Sequence, residues 1–121
     1  MSQNPINLTV RFLLEIIALI ALGAWAKAKF PGALGFVLMI VIPLLAAAAW
    51  GTFNVAGDPS RSGKAPVPVP GIVRLFFELA LFGSATWALF SLNPTYGWIF
   101  GFVTLLHYIL SYDRIIWLLE R

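Results

Sequence analysis

Val10-Arg11-Phe12-Leu13-Leu14-Glu15 and Val73-Arg74-Leu75-Phe76-Phe77-Glu78 are two versions of one phrase, and each opens a long apolar run. An Arg and a Glu four residues apart, inside sequence apolar enough to enter a bilayer, are costly to keep and mark either a structural ion pair or a working site. The surrounding composition sets the class. With 60% hydrophobic residues, 11% charged residues and a mean hydropathy of +0.89, the chain lies far from soluble domains, in which about 25% of residues are charged.

A hydrocarbon core about 30 Å thick takes roughly 20 mostly apolar residues as helix. Four segments reach that length, near residues 7–28, 33–54, 71–92 and 95–119, and together they make one transmembrane domain over residues 1–121. Ala28-Lys29-Phe30-Pro31-Gly32 joins the first two and Ser91-Leu92-Asn93-Pro94 the last two, so each pair is a tight antiparallel hairpin. Residues 55–70 lose apolar periodicity and gain Gly, Ser and alternating Pro, the composition of an extended, solvated linker with polyproline II character. Arg11 and Arg74, Glu15 and Glu78, and Pro31 and Pro94 are each 63 positions apart, and Trp25 and Trp87 are 62 apart. Such an offset points to duplication of a helical hairpin, giving two parallel repeats about an axis along the membrane normal. The fold expected is an all-α, four-helix integral membrane bundle.

Basic residues collect on the cytoplasmic side of a membrane. With four spans, the termini and linker share the side that holds Arg11, Arg61, Lys64, Arg74, Arg114 and Arg121, against Lys27 and Lys29 on the other. Both termini are therefore expected in the cytoplasm. A cleaved signal peptide ending near Ala24-Trp25-Ala26 is disfavoured because Glu15 would stand in the middle of its apolar region. The sequon Asn7-Leu8-Thr9 faces the wrong side to be used.

On a helix, positions i and i+4 share a face, so Arg11 can reach Glu15 and Arg74 can reach Glu78. Both glutamates fall roughly 5 Å to the cytoplasmic side of their helix midpoints. The arginines can snorkel to the head groups, whereas the shorter carboxylates must be protonated, paired or turned to an internal aqueous cavity. In the fourth span Thr104, His107, Ser111 and Arg114 form one polar stripe with Asp113 beside it. His107 is expected near mid-membrane. Arg11, Glu15, Arg74, Glu78, Asp113 and Arg114 are expected to converge, three carboxylates against three guanidinium groups. Two readings stay open at this point. In one, the cluster fixes helix register; in the other, Glu15 and Glu78 take up protons or cations along a pathway, with His107 as a proton relay.

Other signals are structural. Pro43 frees the Met39 carbonyl and kinks the second helix. Gly97-x-x-x-Gly101, Ala47-x-x-x-Gly51 and Ala80-x-x-x-Ser84 allow close helix approach, within one chain or at a dimer seam. Trp25, Trp50, Trp87, Trp98 and Trp117 fit aromatic belts at the membrane surfaces.

Catalytic motifs are absent. The stretch from Gly57 to Ala65 resembles a P-loop but spaces its glycines by five residues, ends in Ala and follows a helix. With one His and no Cys, a single chain offers no metal site and no thiolate chemistry, and the eight basic residues form no stripe for nucleic acid. Neither an enzyme nor a cofactor protein is expected. The partners expected are the lipid bilayer and a second copy or another membrane protein.

The first Arg/Glu phrase, Pro43 followed by Trp50-Gly51-Thr52-Phe53, and Arg74-Leu75-Phe76-Phe77-Glu78 resemble the YrdB family of small bacterial four-span membrane proteins, classed as a domain of unknown function. The resemblance implies a bacterial inner membrane and Glu15, Glu78, Trp50 and Gly51 as signature positions. It brings no activity. One hypothesis is a small transport or channel module for protons, cations or small molecules; the other is a scaffold or accessory subunit whose charges hold its shape.

Overall fold

A computed structural model describes residues 3–58 and 64–121. Arg61, Gly63 and the rest of 59–63, which carry part of the basic count and of the P-loop-like stretch, lie outside the described residues. The chain is all-α. Its helices are α1 (Pro5–Lys29), α2 (Gly32–Thr52), α3 (Gly71–Leu92), α4 (Pro94–Leu110) and α5 (Tyr112–Leu119). A two-residue strand β1 (Phe53–Asn54) pairs in parallel with β2 (Val67–Pro68). α1, α2 and α3 are each long and apolar enough to cross a membrane, and α4 with α5 would pass that test as one bent span.

Local chemistry sets the ends. Asn4 caps α1 by accepting from the Ile6 amide at 2.9 Å, with Pro5 in the first turn, where a missing N–H costs nothing. Asn93 and Pro94 repeat the device at α4, Asn93 accepting from the Thr95 amide at 3.0 Å.

α1 packs against α2, α3 and α4, and α3 packs against α4 and α5. α1 and α3 run side by side in the same direction: Arg11 meets Glu78 near one end, and Trp25 meets Trp87, ring centres 5.3 Å apart, toward the other. α2 lies on the outside, with only Gly35 and Trp50 buried. Gly23 of α1 faces the Met39 carbonyl that Pro43 releases, so closely that a Cβ there would lie 2.8 Å from the oxygen. The kinked turn is therefore packed against bare backbone, where a Cα–H can approach the carbonyl. Gly97 and Gly101 receive Phe90 and Thr86 of α3, which assigns that small-residue surface to packing within the chain.

Two expectations are corrected here. The helix expected over 95–119 is divided at Ser111, whose backbone (φ −103°, ψ 30°) leaves the helical path, and α5 departs at 68° to α4. Asn7 donates to the Ser111 hydroxyl at 2.6 Å and pins the break to α1. The linker, expected to be solvated throughout, is exposed or half-buried over 64–70 and at Ala56 and Gly57, but its start turns in against the helices. Asn54, Val55 and Asp58 are buried, and the Asn54 side chain donates to the Gly51 carbonyl at 2.7 Å, satisfying the open end of α2.

Candidate functional site

The polar side chains gather at the end of the helices that carries the linker. Asn7, Arg11 and Glu15 recur every four residues along α1, so one face presents an amide, a guanidinium and a carboxylate in order. Arg74 and Glu78 occupy the same face of α3. Tyr108 and His107 enter from the last turns of α4, Arg114 from α5, and Asp58 from the linker.

Glu78 is the hub and has no exposed surface. Its Oε2 accepts from Arg74 Nε at 2.9 Å within α3 and from Arg114 Nη2 at 2.5 Å from α5, and Arg11 Nη2 of α1 is ion-paired with it at 2.8 Å without hydrogen-bond geometry. Its Oε1 accepts from the Tyr108 hydroxyl at 2.9 Å. A carboxylate removed from water is strongly penalised unless paired and hydrogen-bonded; here three cations supply the counter-charge, and two of them with a phenol supply the hydrogen bonds. Arg114 also donates to Asp58 Oδ1 at 2.6 Å. Arg74 Nη1 donates to the carbonyls of Trp50 (2.8 Å) and Phe53 (2.7 Å), placing positive charge at the C-terminal end of α2, where the helix dipole favours it.

Glu15 is different. It is 15% exposed, accepts from Trp50 Nε1 at 2.9 Å and lies 3.5 Å from Arg11 Nε. Arg11 thus spans both glutamates, but its shorter contact is to the neighbouring helix rather than to Glu15 in its own. The two phrases of the repeat occupy unequal places: one glutamate is central and dry, the other flanks it. The cause is α2, whose Trp50 closes over Glu15, whereas α4 and α5 bring Tyr108 and Arg114 to Glu78.

Trp50 departs from the belt expectation. It is buried, stacks under the Arg74 guanidinium at 4.2 Å and meets Phe77 and Phe82 with ring centres 5.9 and 5.6 Å away. The ring face suits a cation and its N–H a carboxylate, so one side chain joins the two phrases. Gly51, next to it, is exposed with open space where a side chain would stand, and its carbonyl receives Asn54.

Asp113 is half-buried in the first turn of α5, where an acidic group favours the helix N-terminus, and the carboxylate on Arg114 is Asp58 instead. The three-to-three balance of charge holds with that exchange: Arg11, Arg74 and Arg114 against Glu15, Glu78 and Asp58. His107, expected near mid-membrane, is placed here by its helix alone. It lies in the last turn of α4, buried, with Nδ1 2.9 Å from Asn7 Oδ1, level with the start of α1. It belongs to an Asn7–His107–Ser111 set that ties α1 to the α4–α5 break.

Asn7, Asp58 and Tyr108 were missed by sequence reasoning. Asn7 is four residues before Arg11, and Tyr108 four after Thr104, so helical spacing could have found both. Asp58 carries one cue, as an acidic residue in an otherwise basic linker.

Among the described residues no three His, Asp or Glu side chains converge to hold a metal. Grooves of roughly 230–360 Å³ lie on the outer surface, and neither Glu15 nor Glu78 lines them. One of about 360 Å³ is the apolar cleft around Gly23, Met39 and Pro43. The arrangement can hold helices in register.

A family model described as a protein of unknown function (DUF2568) matches residues 9–105, which contain both Arg/Glu phrases and Trp50. The chain belongs to this family. It is 44% identical over 119 residues to the uncharacterized protein YrdB of Bacillus subtilis (strain 168), a match covering 98% of this chain and 97% of that one. No solved structure matches the chain.

Proposed function

We propose that the chain is a multi-pass protein of the bacterial inner membrane, with termini and linker in the cytoplasm. In this reading it serves as a non-transporting scaffold or accessory subunit rather than as an enzyme. The observation that carries the reading is the closure of Glu78. A carboxylate that binds and releases protons or cations needs an aqueous approach, and this one has no exposed surface, hydrogen bonds from Arg74, Arg114 and Tyr108, and an ion pair with Arg11. The excess of Lys and Arg at the linker end supports the orientation. The outward faces of α2 and α3, apolar along their length, are where a second copy or another membrane protein would dock, and neither a cofactor nor nucleic acid enters this reading. The parallel placement of α1 and α3 supports descent from a duplicated hairpin.

The test is reconstitution of the wild type and a Glu15→Gln/Glu78→Gln double variant in liposomes loaded with a pH-sensitive dye and subjected to proton and K⁺ gradients. Leak equal to that of protein-free vesicles from both is the expected result. Flux from the wild type that the double variant loses would establish the transport reading instead.

A further inference from the structure

α5 is eight residues long and leaves α4 at 68°, a poor geometry for completing a span. Its two sides differ. Arg114 and Leu118 are buried, Arg114 on Asp58 and Glu78, and Leu118 against Gly71 at the start of α3, so closely that a Cβ on Gly71 would collide with the Leu118 carbonyl. The opposite side carries Tyr112, Ile116 and Leu119, spaced to form one stripe and 64%, 49% and 57% exposed. Near the end of the helix the Arg121 guanidinium lies 4.6 Å from the centre of the Trp117 ring. Tyr, Trp and Arg beside an apolar stripe are the residues that hold a short helix at the boundary between head groups and acyl chains.

We propose that α5 is an in-plane interfacial helix whose Tyr112–Ile116–Leu119 stripe rests on the lipid of the same leaflet that receives the ends of α1 and α3, so that the fourth crossing is made by α4 alone. The occupant is lipid because the stripe continues the outward apolar surface of α4 at Leu105, Leu106, Ile109 and Leu110, which would face the acyl chains. α4 alone spans about 26 Å, close to the hydrocarbon thickness. Lying flat, α5 carries Arg114 sideways to Glu78 and forms the floor under the charge cluster. The inference rests on the membrane reading above.

The chain has no cysteine, so single-cysteine variants report one site each. Nitroxide labels are placed at Tyr112→Cys and Leu119→Cys on α5 and, as an internal ruler, at Phe102→Cys and Ile109→Cys on α4, all at exposed positions. Depth is read in phosphatidylglycerol/phosphatidylethanolamine liposomes from accessibility to oxygen and to a water-soluble nickel chelate. Each pair is seven residues apart, so the α4 pair should differ in depth by about 10 Å and the α5 pair by about 4 Å if tilted by the observed angle. An α5 pair that steps through the bilayer as the α4 pair does overturns the proposal. So do α5 labels shielded from both reagents, which would mean that a second copy or a partner protein covers the stripe. A flat α4 ruler instead removes the membrane reading itself.

Discussion

At the scale of single residues, the cluster works because every charge has an assigned counter-charge, and the least obvious assignment is Asp58 with Arg114. The two belong to segments 56 positions apart and both are buried; Arg114 also holds Glu78, so losing it strips Asp58 of this counter-charge, whereas losing Asp58 leaves Arg114 one of its two carboxylates. A double-mutant cycle with Asp58→Asn and Arg114→Gln, read from unfolding in detergent, should give a coupling above about 1 kcal/mol. A coupling near zero would mean that the linker is not held by this pair. The Arg/Glu phrases announced Arg11, Arg74 and Glu78 in the sequence because i,i+4 charges in apolar sequence have few explanations. Asp58 was illegible because its role depends on a linker folding back across the helix ends, which no local period encodes.

At the scale of elements, the long helices were written in hydropathy and in their Asn-Pro starts, and the observed bounds lie within two residues of those expected for the first three segments. The division of the last one was not. Its apolar period runs on through Ser111, and the break coincides with a bond from Asn7 of a distant helix to the Ser111 side chain. Gly71 carries the same lesson. In sequence it is one of ten glycines, but it is where the backbone of α3 meets the backbone of α5. Gly71→Val should therefore destabilise the protein by about 1–3 kcal/mol, as overpacking does, and loosen α5 from α3. Limited proteolysis near the C-terminus checks this, and a variant as resistant as the wild type would show that the approach tolerates a side chain. Gly51→Val, at an open position, is the control and should change little.

At the scale of the whole molecule, the two Arg/Glu phrases have been put to unequal use. α1 and α3 are parallel neighbours, but one hairpin continues into an outer helix, α2, and the other into α4 and α5, and only the second surrounds its glutamate. Of the six basic residues at the linker end, Arg11, Arg74 and Arg114 are consumed by the cluster. Half of the basic residues that the proposed orientation counts are thus the same side chains that hold the helices together. This is what the proposed structural role draws on. The most direct test is the unfolding free energy of Glu78→Gln against that of Glu15→Gln, measured in the same detergent. Loss of the hub carboxylate, which leaves three buried guanidinium groups short of their shared partner, should cost about 3–5 kcal/mol, and loss of the flanking one much less. Equal costs, or a Glu78→Gln protein as stable as the wild type, would contradict the central place given to Glu78.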